Sequence, residues 1–249
     1  MNIIKKPCPN YSVGRLGYRP EAIVIHVMDG TLTGTDSWFA NPQSAVSAHY
    51  GVGKNGEIHN YVDEENTAWH AGRINAPVWK LIKRAANGGF VNPNCYTIGI
   101  EHEGTGDSDW TDAMYEASGN LIAQLAATWN IPINRQYIVG HDEIYALKCC
   151  PGKVDMDKLI ATALQDLKTH LAISVNPIPL EGSVQTTCPL NMRFKPSRNT
   201  APAYIVNKGT ILNYVGYTNE GELVDNSKKW YCTEDGFWFW AGGIGNTVA

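Results

Sequence analysis

Short runs of β-forming residues alternate with longer helical patterns through the first two thirds of the chain. The runs EAIVIHVM (21–28), YTIGIEH (96–102) and QYIVGH (136–141) are rich in β-branched residues and too short for helices. Each is bounded by proline, glycine or charged residues, which interrupt regular structure. We therefore predict three buried strands, each with a titratable side chain at or near its C-terminal end.

The segment SAHYGVGKNGEIHNYV (47–62) has two strand-like arms around Lys54-Asn55-Gly56. Asn-Gly is the preferred centre of a tight hairpin turn, because both residues tolerate positive φ. This segment predicts a β-hairpin.

Two longer segments repeat apolar residues with a period of 3.6, which is typical of amphipathic helices. The first lies within residues 110–130, with Thr111 as the N-cap and Asp112 in the first turn, and the second spans residues 154–172. Residues 76–86 predict a shorter surface helix. Strands that alternate with helices favour an α/β fold with a mixed central sheet flanked by helices, here a first domain over residues 1–172.

The pattern changes after this domain. Residues 173–185 lack helical periodicity and predict a linker. Residues 186–249 contain short strand-like runs separated by Lys-Gly-Thr, Asn-Glu-Gly and Glu-Asp-Gly, which indicates a small all-β barrel.

Composition excludes several classes of protein. With 43% hydrophobic and 18% charged residues, the chain is typical of a folded globular protein. The net charge is −4, so the chain lacks the excess of basic residues that is typical of nucleic-acid-binding proteins. No run of apolar residues approaches the length of about 20 that a membrane helix requires. Lys5 and Lys6 are followed by no apolar run, so no signal peptide is visible. We expect a monomer made in the cytoplasm, with no nucleic-acid or membrane partner.

Two adjacent cysteines, Cys149 and Cys150, precede a Pro-Gly pair. A disulfide between adjacent cysteines requires a strained ring, whereas two unreactive thiols at a turn require no special geometry. One thiol paired with His141 would suit a nucleophile. One thiol together with His26 and His141 would suit a catalytic zinc site, which takes three protein ligands and leaves a fourth position open. Local sequence leaves these interpretations open.

The chain contains, in order, the blocks IVIHVMDG, VSAHYGVGKNGEIHNYVDEENTAWHAG, YTIGIEHEG, WTDAMYEAS, IVGHDEI and KCCPGK. This order resembles the type 2 N-acetylmuramoyl-L-alanine amidases, a family that includes phage amidase endolysins and peptidoglycan recognition proteins. The resemblance covers about residues 20–170. It implies a zinc amidase fold, Zn²⁺ as the cofactor, and peptidoglycan or a muropeptide as the substrate and partner.

The resemblance also implies roles for particular residues. The zinc ligands of the family correspond to His26, His141 and Cys150, the last because that ligand directly precedes Pro-Gly. Glu101 corresponds to the family's acidic residue and is expected to transfer protons. Lys148 is expected to face the developing oxyanion.

Other positions bear on the substrate. Trp69 and His70, in the Trp-His-Ala-Gly block, are expected to line the substrate groove. Some relatives carry a catalytic tyrosine where this chain has Ala48, so a tyrosine-assisted mechanism is not expected. We expect Tyr50, which lies too late in the sequence for that role, to pack in the protein.

The C-terminal residues 186–249 resemble the bacterial SH3-like domain, in the Leu-Asn-Met-Arg block, the Pro-Ser pair, the Lys-Gly-Thr turn and the aromatic strand before Gly-Gly. That family commonly binds cell-wall peptide or sugar. Trp238 and Trp240 alternate with Phe237 and Phe239, so each pair shares one strand face. One pair is expected in the core; the other is either a binding platform or structural as well.

The function that follows is zinc-dependent hydrolysis of the amide between N-acetylmuramic acid and L-alanine, in cell-wall lysis or remodelling. Release of a phage endolysin through a membrane pore would explain how such an enzyme reaches the wall without a signal peptide. Two other hypotheses remain: a muropeptide-recognition protein without catalysis, and a cysteine peptidase that uses Cys149 or Cys150.

Overall fold

The computed structural model describes residues 2–171, 176–199, 202–234 and 236–247. The chain divides into two compact units. Residues 1–122 and 135–163 form the first unit, and residues 123–134 and 164–249 form the second. All the residues predicted for the metal site and for catalysis lie in the first unit.

The first unit contains eight strands among the residues described. They are β1 (Ile3–Lys5), β2 (Tyr11–Ser12), β3 (Ala22–Val27), β4 (Tyr50–Val52), β5 (Ile58–Asn60), β6 (Thr67–Ala68), β7 (Thr97–His102) and β8 (Ile138–Gly140). Six of them form one sheet in the order β1-β5-β4-β7-β3-β8, and β2 pairs with β6 separately. In the larger sheet only β4 and β5 are antiparallel. The predicted mixed sheet is confirmed.

Strands β3, β7 and β8 correspond to the three predicted apolar runs. Ile25, Ile98 and Ile138 have no exposed surface, because both faces of these parallel strands are covered. Full burial of an isoleucine side chain stabilises a fold by about 1.5–3 kcal/mol. The predicted hairpin is also confirmed: Gly56 has φ +82° at the turn between β4 and β5.

Three α-helices are present in the described residues: α1 (Leu32–Ala40), α2 (Asp112–Trp129) and α3 (Met156–Leu171). Helix α2 begins as predicted, since the Met114 N–H donates to Thr111 Oγ1 over 3.1 Å. Helix α1 was not predicted. Its sequence, LTGTDSWFA, contains threonine and glycine, which have low helix propensity and obscure the periodic signal.

The predicted surface helix over residues 76–86 is wrong. The N–H groups of Val78 and Trp79 both donate to the Glu143 carbonyl instead of to a helical partner. Ala76 has φ +42°, and Pro77 has no N–H to donate. Hydrogen bonds to a distant loop thus replace the helical ladder that the local pattern indicated.

Within its described residues, the second unit contains seven further strands. They are β9 (Ile178–Thr186), β10 (Leu190–Arg193), β11 (Pro202–Val206), β12 (Ile211–Thr218), β13 (Trp230–Cys232), β14 (Trp238–Trp240) and β15 (Ile244–Thr247). They form an antiparallel sheet in the order β11-β10-β14-β13-β12-β9-β15. This sheet is compatible with the predicted small β-domain.

Strand β9 begins inside the range 173–185 that was predicted as a linker; residues 172–175 lie outside the described residues. Pro179 and Gly182 concealed the strand, because both residues are uncommon in regular strands. Gly182 is needed there: a Cβ atom would lie 2.3 Å from the Tyr214 hydroxyl on the paired strand.

The aromatic strand β14 is covered on both faces. Phe237 lies in ring contact with Phe194 and Tyr204, while Trp238 belongs to a core cluster with Trp230. Trp240 is half-buried against that cluster, and Phe239 has no exposed surface. Both pairs therefore pack, which favours the structural interpretation of the second pair over an exposed binding platform.

None of the helices within the described residues combines the length and the apolar composition that crossing a bilayer requires.

Candidate metal centre

The register of the parallel strands gathers the predicted residues at one edge of the sheet. His26 on β3 lies opposite Glu101 on β7. On the other side of β3, Ile25 lies opposite Gly140, the last residue of β8, so that His141 follows at the same level. A short 3₁₀ turn, His141–Glu143, begins there, where the Gly140 N–H donates to Glu143 Oε1 over 2.8 Å. Parallel pairing thus brings together residues far apart in sequence.

Cys150 completes a set of three potential metal ligands. One ligand atom each from His26, His141 and Cys150 lies within 4.8 Å of the others, and all three residues are buried. The Asp142 N–H donates to the Cys150 carbonyl over 2.9 Å, and the Val27 N–H donates to Cys150 Sγ over 3.0 Å. The neighbouring Cys149 is exposed and outside this set.

The charge states of the three side chains suit a soft divalent cation. Burial lowers the pKa of His26 well below its ordinary value and that of His141 to about 4, so both imidazoles are neutral and keep a free lone pair. Burial raises the pKa of the Cys150 thiol, while the Val27 N–H and the charge of Lys148 act in the opposite direction. A bound cation would favour the thiolate. Two imidazoles and one sulfur are a donor set that zinc accepts, so these residues fit zinc.

Glu101 lies beside the metal ligands. Its Oε1 is 3.9 Å from His26 Nδ1, and its side chain is 16% exposed. Its Oε2 is buried without a hydrogen-bond partner among the described residues. Burial raises the pKa of this carboxyl to about 8, and the charge of Lys148 opposes the rise. A buried carboxyl oxygen without a partner is uncommon and is often found at functional sites.

All seven predicted site residues line a single cleft of about 230 Å³. They are His26, Trp69, His70, Glu101, His141, Lys148 and Cys150. A neighbouring cleft of about 460 Å³ shares several of these residues and is also lined by Arg73 and Tyr145. Lys148 is exposed, so its charge is available at the opening. The structure therefore brings the predicted residues together, although they come from separate strands and loops.

His70 also contacts a metal ligand. Its Nδ1 lies 3.1 Å from His26 Nε2, and its Nε2 lies 3.3 Å from Thr97 Oγ1. Burial, with smaller effects of His141 and Arg15, lowers the pKa of His70 to about 3, so its ring is neutral.

Some residues around the site were not identified from the sequence. Helix α1 contributes Thr35, Trp38 and Phe39 to the cleft, and Trp38 is 55% exposed there. Their position depends on the helix that the pattern did not reveal. Arg15 is buried and donates to the backbone carbonyls of residues 94, 95 and 97, which precede and begin β7. No local signal distinguishes it from a surface arginine.

Tyr50 packs as expected. Its hydroxyl donates to Glu64, and the residue is buried in β4. It is absent from the residues that line the two clefts. Ala48, at the position where some relatives carry a tyrosine, is fully buried.

Comparisons with known proteins cover the same region. The family described as N-acetylmuramoyl-L-alanine amidase matches residues 16–153. The chain is 36% identical over 121 residues to N-acetylmuramoyl-L-alanine amidase A of Achromobacter lyticus, covering 47% of this chain and 56% of that protein. It is 30% identical over 156 residues to the 1,6-anhydro-N-acetylmuramyl-L-alanine amidase AmpD of Salmonella typhimurium, covering 55% of this chain and 76% of that protein.

A crystal structure of a selenomethionine AmpD derivative is similar in fold, with a TM-score of 0.51 and 27% sequence identity. The similarity covers 64% of this chain and 93% of that one. The chain spans little more than half of the Achromobacter protein that it matches.

Proposed function

The chain belongs to the N-acetylmuramoyl-L-alanine amidase family, and we propose that it hydrolyses the amide between N-acetylmuramic acid and L-alanine in peptidoglycan or muropeptides. The observation that carries the proposal is the convergence of His26, His141 and Cys150 within 4.8 Å, beside a buried carboxyl oxygen of Glu101 that has no partner among the described residues. His26, His141 and Cys150 would hold zinc. Zinc bound there supplies Lewis acidity toward the substrate carbonyl and the attacking water.

Glu101 is the proposed general base and acid. Its Oε2 faces no competing donor among the residues described, so this oxygen is available to accept the proton of the attacking water. The same oxygen then donates that proton to the leaving amide nitrogen, which departs as a neutral amine. General acid–base catalysis of this kind contributes about 10²–10⁴ in rate.

Lys148 is the proposed oxyanion group. It lines the cleft two residues before Cys150, and its exposed side chain carries a positive charge at the opening. A positive charge beside the developing oxyanion stabilises the transition state more than the ground state, and such donors are worth about 3 kcal/mol. We propose that Trp69, which lines both clefts, binds the substrate through its ring, with His70 beside it.

We propose residues 1–172 as the catalytic domain, residues 173–185 as the connection and residues 186–249 as an SH3-like domain that binds the cell wall. The antiparallel sheet of the second unit is compatible with such a domain. A wall-binding domain would raise the local concentration of substrate without changing the chemistry. We propose that the enzyme acts on the cell wall as an endolysin after phage-mediated release.

Digestion of purified sacculi by the full chain, followed by mass spectrometry of the new ends, tests the activity. Free lactyl carboxylates on muramic acid, together with new L-alanine amino termini, are expected. New reducing sugars would indicate a glycosidase, and muropeptide binding without new ends would indicate a recognition protein.

A second experiment separates the zinc enzyme from a cysteine peptidase. Chelation is expected to abolish the activity, and added Zn²⁺ to restore it. The raised pKa of the Cys150 thiol is the opposite of what a nucleophilic cysteine requires. Activity that survives chelation but is lost on alkylation of the metal-free protein would contradict the proposal.

A further inference from the structure

A chain of hydrogen bonds extends from His26 into the protein. His26 Nε2 lies 3.1 Å from His70 Nδ1, and His70 Nε2 lies 3.3 Å from Thr97 Oγ1. The Thr97 hydroxyl in turn donates to the Pro93 carbonyl over 2.8 Å. This carbonyl can only accept, and a hydroxyl has one proton, so Thr97 Oγ1 must act as an acceptor toward His70.

The direction of the hydrogen bond between Thr97 and His70 determines the direction of the hydrogen bond between His70 and His26. Because Thr97 accepts, the proton of the neutral His70 ring lies on Nε2, and His70 Nδ1 carries a lone pair. His26 must then donate from Nε2, which leaves the lone pair of His26 on Nδ1. That nitrogen lies on the side of Glu101, 3.9 Å from Oε1.

We propose that His70 and Thr97 are positioning residues, which hold His26 in the Nε2–H tautomer so that Nδ1 is presented to zinc. The proposal rests on the proposed zinc-dependent function. Hydrogen-bond partners of metal-binding histidines commonly fix the tautomer and ring orientation in this way. Here the partner is a second histidine whose own tautomer is set by a threonine.

The protein holds His70 from two further directions. The N–H groups of His70 and Ala71 donate to Asn94 Oδ1 over 3.1 and 2.6 Å, and Asn94 is buried. Gly99 on β7 leaves room for the ring, because a Cβ atom there would lie 2.5 Å from His70 Cγ and 2.6 Å from Nδ1. Backbone anchors, a ring partner and a glycine thus define one ring position.

This arrangement changes the role expected of His70. Both of its ring nitrogens have partners within the protein, so neither is available for a polar contact with the substrate. The ring still forms part of the wall of both clefts. Its polar atoms serve the metal ligand, and Trp69 remains the proposed substrate contact.

The zinc affinity of the full chain, measured by competition with a chelator, tests the proposal. Thr97→Val removes the acceptor while keeping the side-chain shape, and Thr97→Ser retains it. We expect the zinc Kd to rise about 10–100-fold in Thr97→Val and to return toward the wild-type value in Thr97→Ser. Thr67→Val is the matched control, because Thr67 is also buried and donates to a backbone carbonyl, that of Gly14, over 2.6 Å.

Substitutions of His70 and Gly99 provide a second test. His70→Asn places an oxygen acceptor near the position of Nδ1, whereas His70→Leu has no acceptor, so His70→Leu is expected to lose more zinc affinity. Gly99→Ala is expected to weaken zinc binding by displacing the His70 ring, with all polar groups retained. Equal zinc affinity in the wild type, Thr97→Val and His70→Leu would overturn the proposal.

Nitrogen-15 NMR of the histidine rings in the metal-free full chain identifies the tautomer directly, and this measurement does not depend on enzymatic activity. A proton on His26 Nε2 is expected in the wild type, with a mixture of tautomers in Thr97→Val. A proton on His26 Nδ1 in the wild type would overturn the proposal while leaving the proposed function intact. A wild-type protein that binds no zinc would contradict the proposed function, and the ring spectrum would still decide the tautomer.

Discussion

Replacement of Glu101 by glutamine tests the central chemical step. The amide keeps the shape of the side chain but cannot accept a proton from water. The carboxyl oxygen that it replaces, Oε2, is buried and without a partner among the described residues, so no hydrogen bond within the protein is lost there. We therefore expect an effect on turnover, with zinc binding retained.

The magnitude follows from the role. Loss of a general base lowers the rate by about 10²–10⁴. At 1.36 kcal/mol for each factor of ten, this corresponds to about 2.7–5.4 kcal/mol of activation free energy. Glu101→Ala is expected to behave similarly in turnover. Neither change removes a metal ligand, so the zinc Kd is expected to stay close to that of the wild type.

The assay measures kcat on a defined muropeptide, with the zinc content and the free energy of unfolding determined on the same preparation. Glu103→Gln is the matched control: this carboxylate lies two residues away and accepts from the Lys54 N–H over 2.8 Å, outside the cleft. It is expected to retain wild-type kcat. A Glu101→Gln enzyme within tenfold of wild-type kcat, with zinc bound, would refute the assignment of Glu101 as the base.

Three further predictions concern single residues. Cys150→Ser is expected to lose zinc on dialysis against a chelator, whereas Cys149→Ser, whose side chain is exposed, retains it; equal metal content in both would contradict the ligand assignment. Lys148→Ala is expected to lower kcat about 100-fold with zinc retained, since the lost donor is worth about 3 kcal/mol; an unchanged kcat would exclude the oxyanion role. Thr111→Ala removes the cap of α2 and is expected to lower the free energy of unfolding by about 1 kcal/mol in urea titrations; unchanged stability would mean that water replaces the cap.

The three apolar parallel strands were predictable because their burial is recorded in local sequence. Strands β3, β7 and β8 are covered on both faces, so nearly every position is apolar and the run stands out from its surroundings. The hairpin was predictable because its turn depends on a local signal, a glycine at position 56 that adopts φ +82°. Helix α2 was predictable because its cap and its apolar face lie within one segment.

Other elements depend on partners distant in sequence. Helix α1 has residues of low helix propensity, and its formation follows from the burial of Leu32 and Phe39. Residues 76–86 have a helical pattern, but two of their N–H groups bond to Glu143. Strand β9 contains a proline and a glycine, and it forms because it pairs with β12 and β15. In each case nonlocal contacts outweigh local preference.

The sequence by itself determined the types of chemical group and the strands that carry them, and the family resemblance predicted Cys150 rather than Cys149 as the metal ligand. Only the tertiary structure decided which atoms face one another: His26 lies opposite Glu101, the Val27 N–H contacts Cys150 Sγ, and Thr97 Oγ1 lies 3.3 Å from Nε2 of His70, whose Nδ1 contacts His26. The reason is physical. Strand register and side-chain burial arise from contacts between segments as far as 123 residues apart, whereas sequence patterns record only what each segment prefers alone.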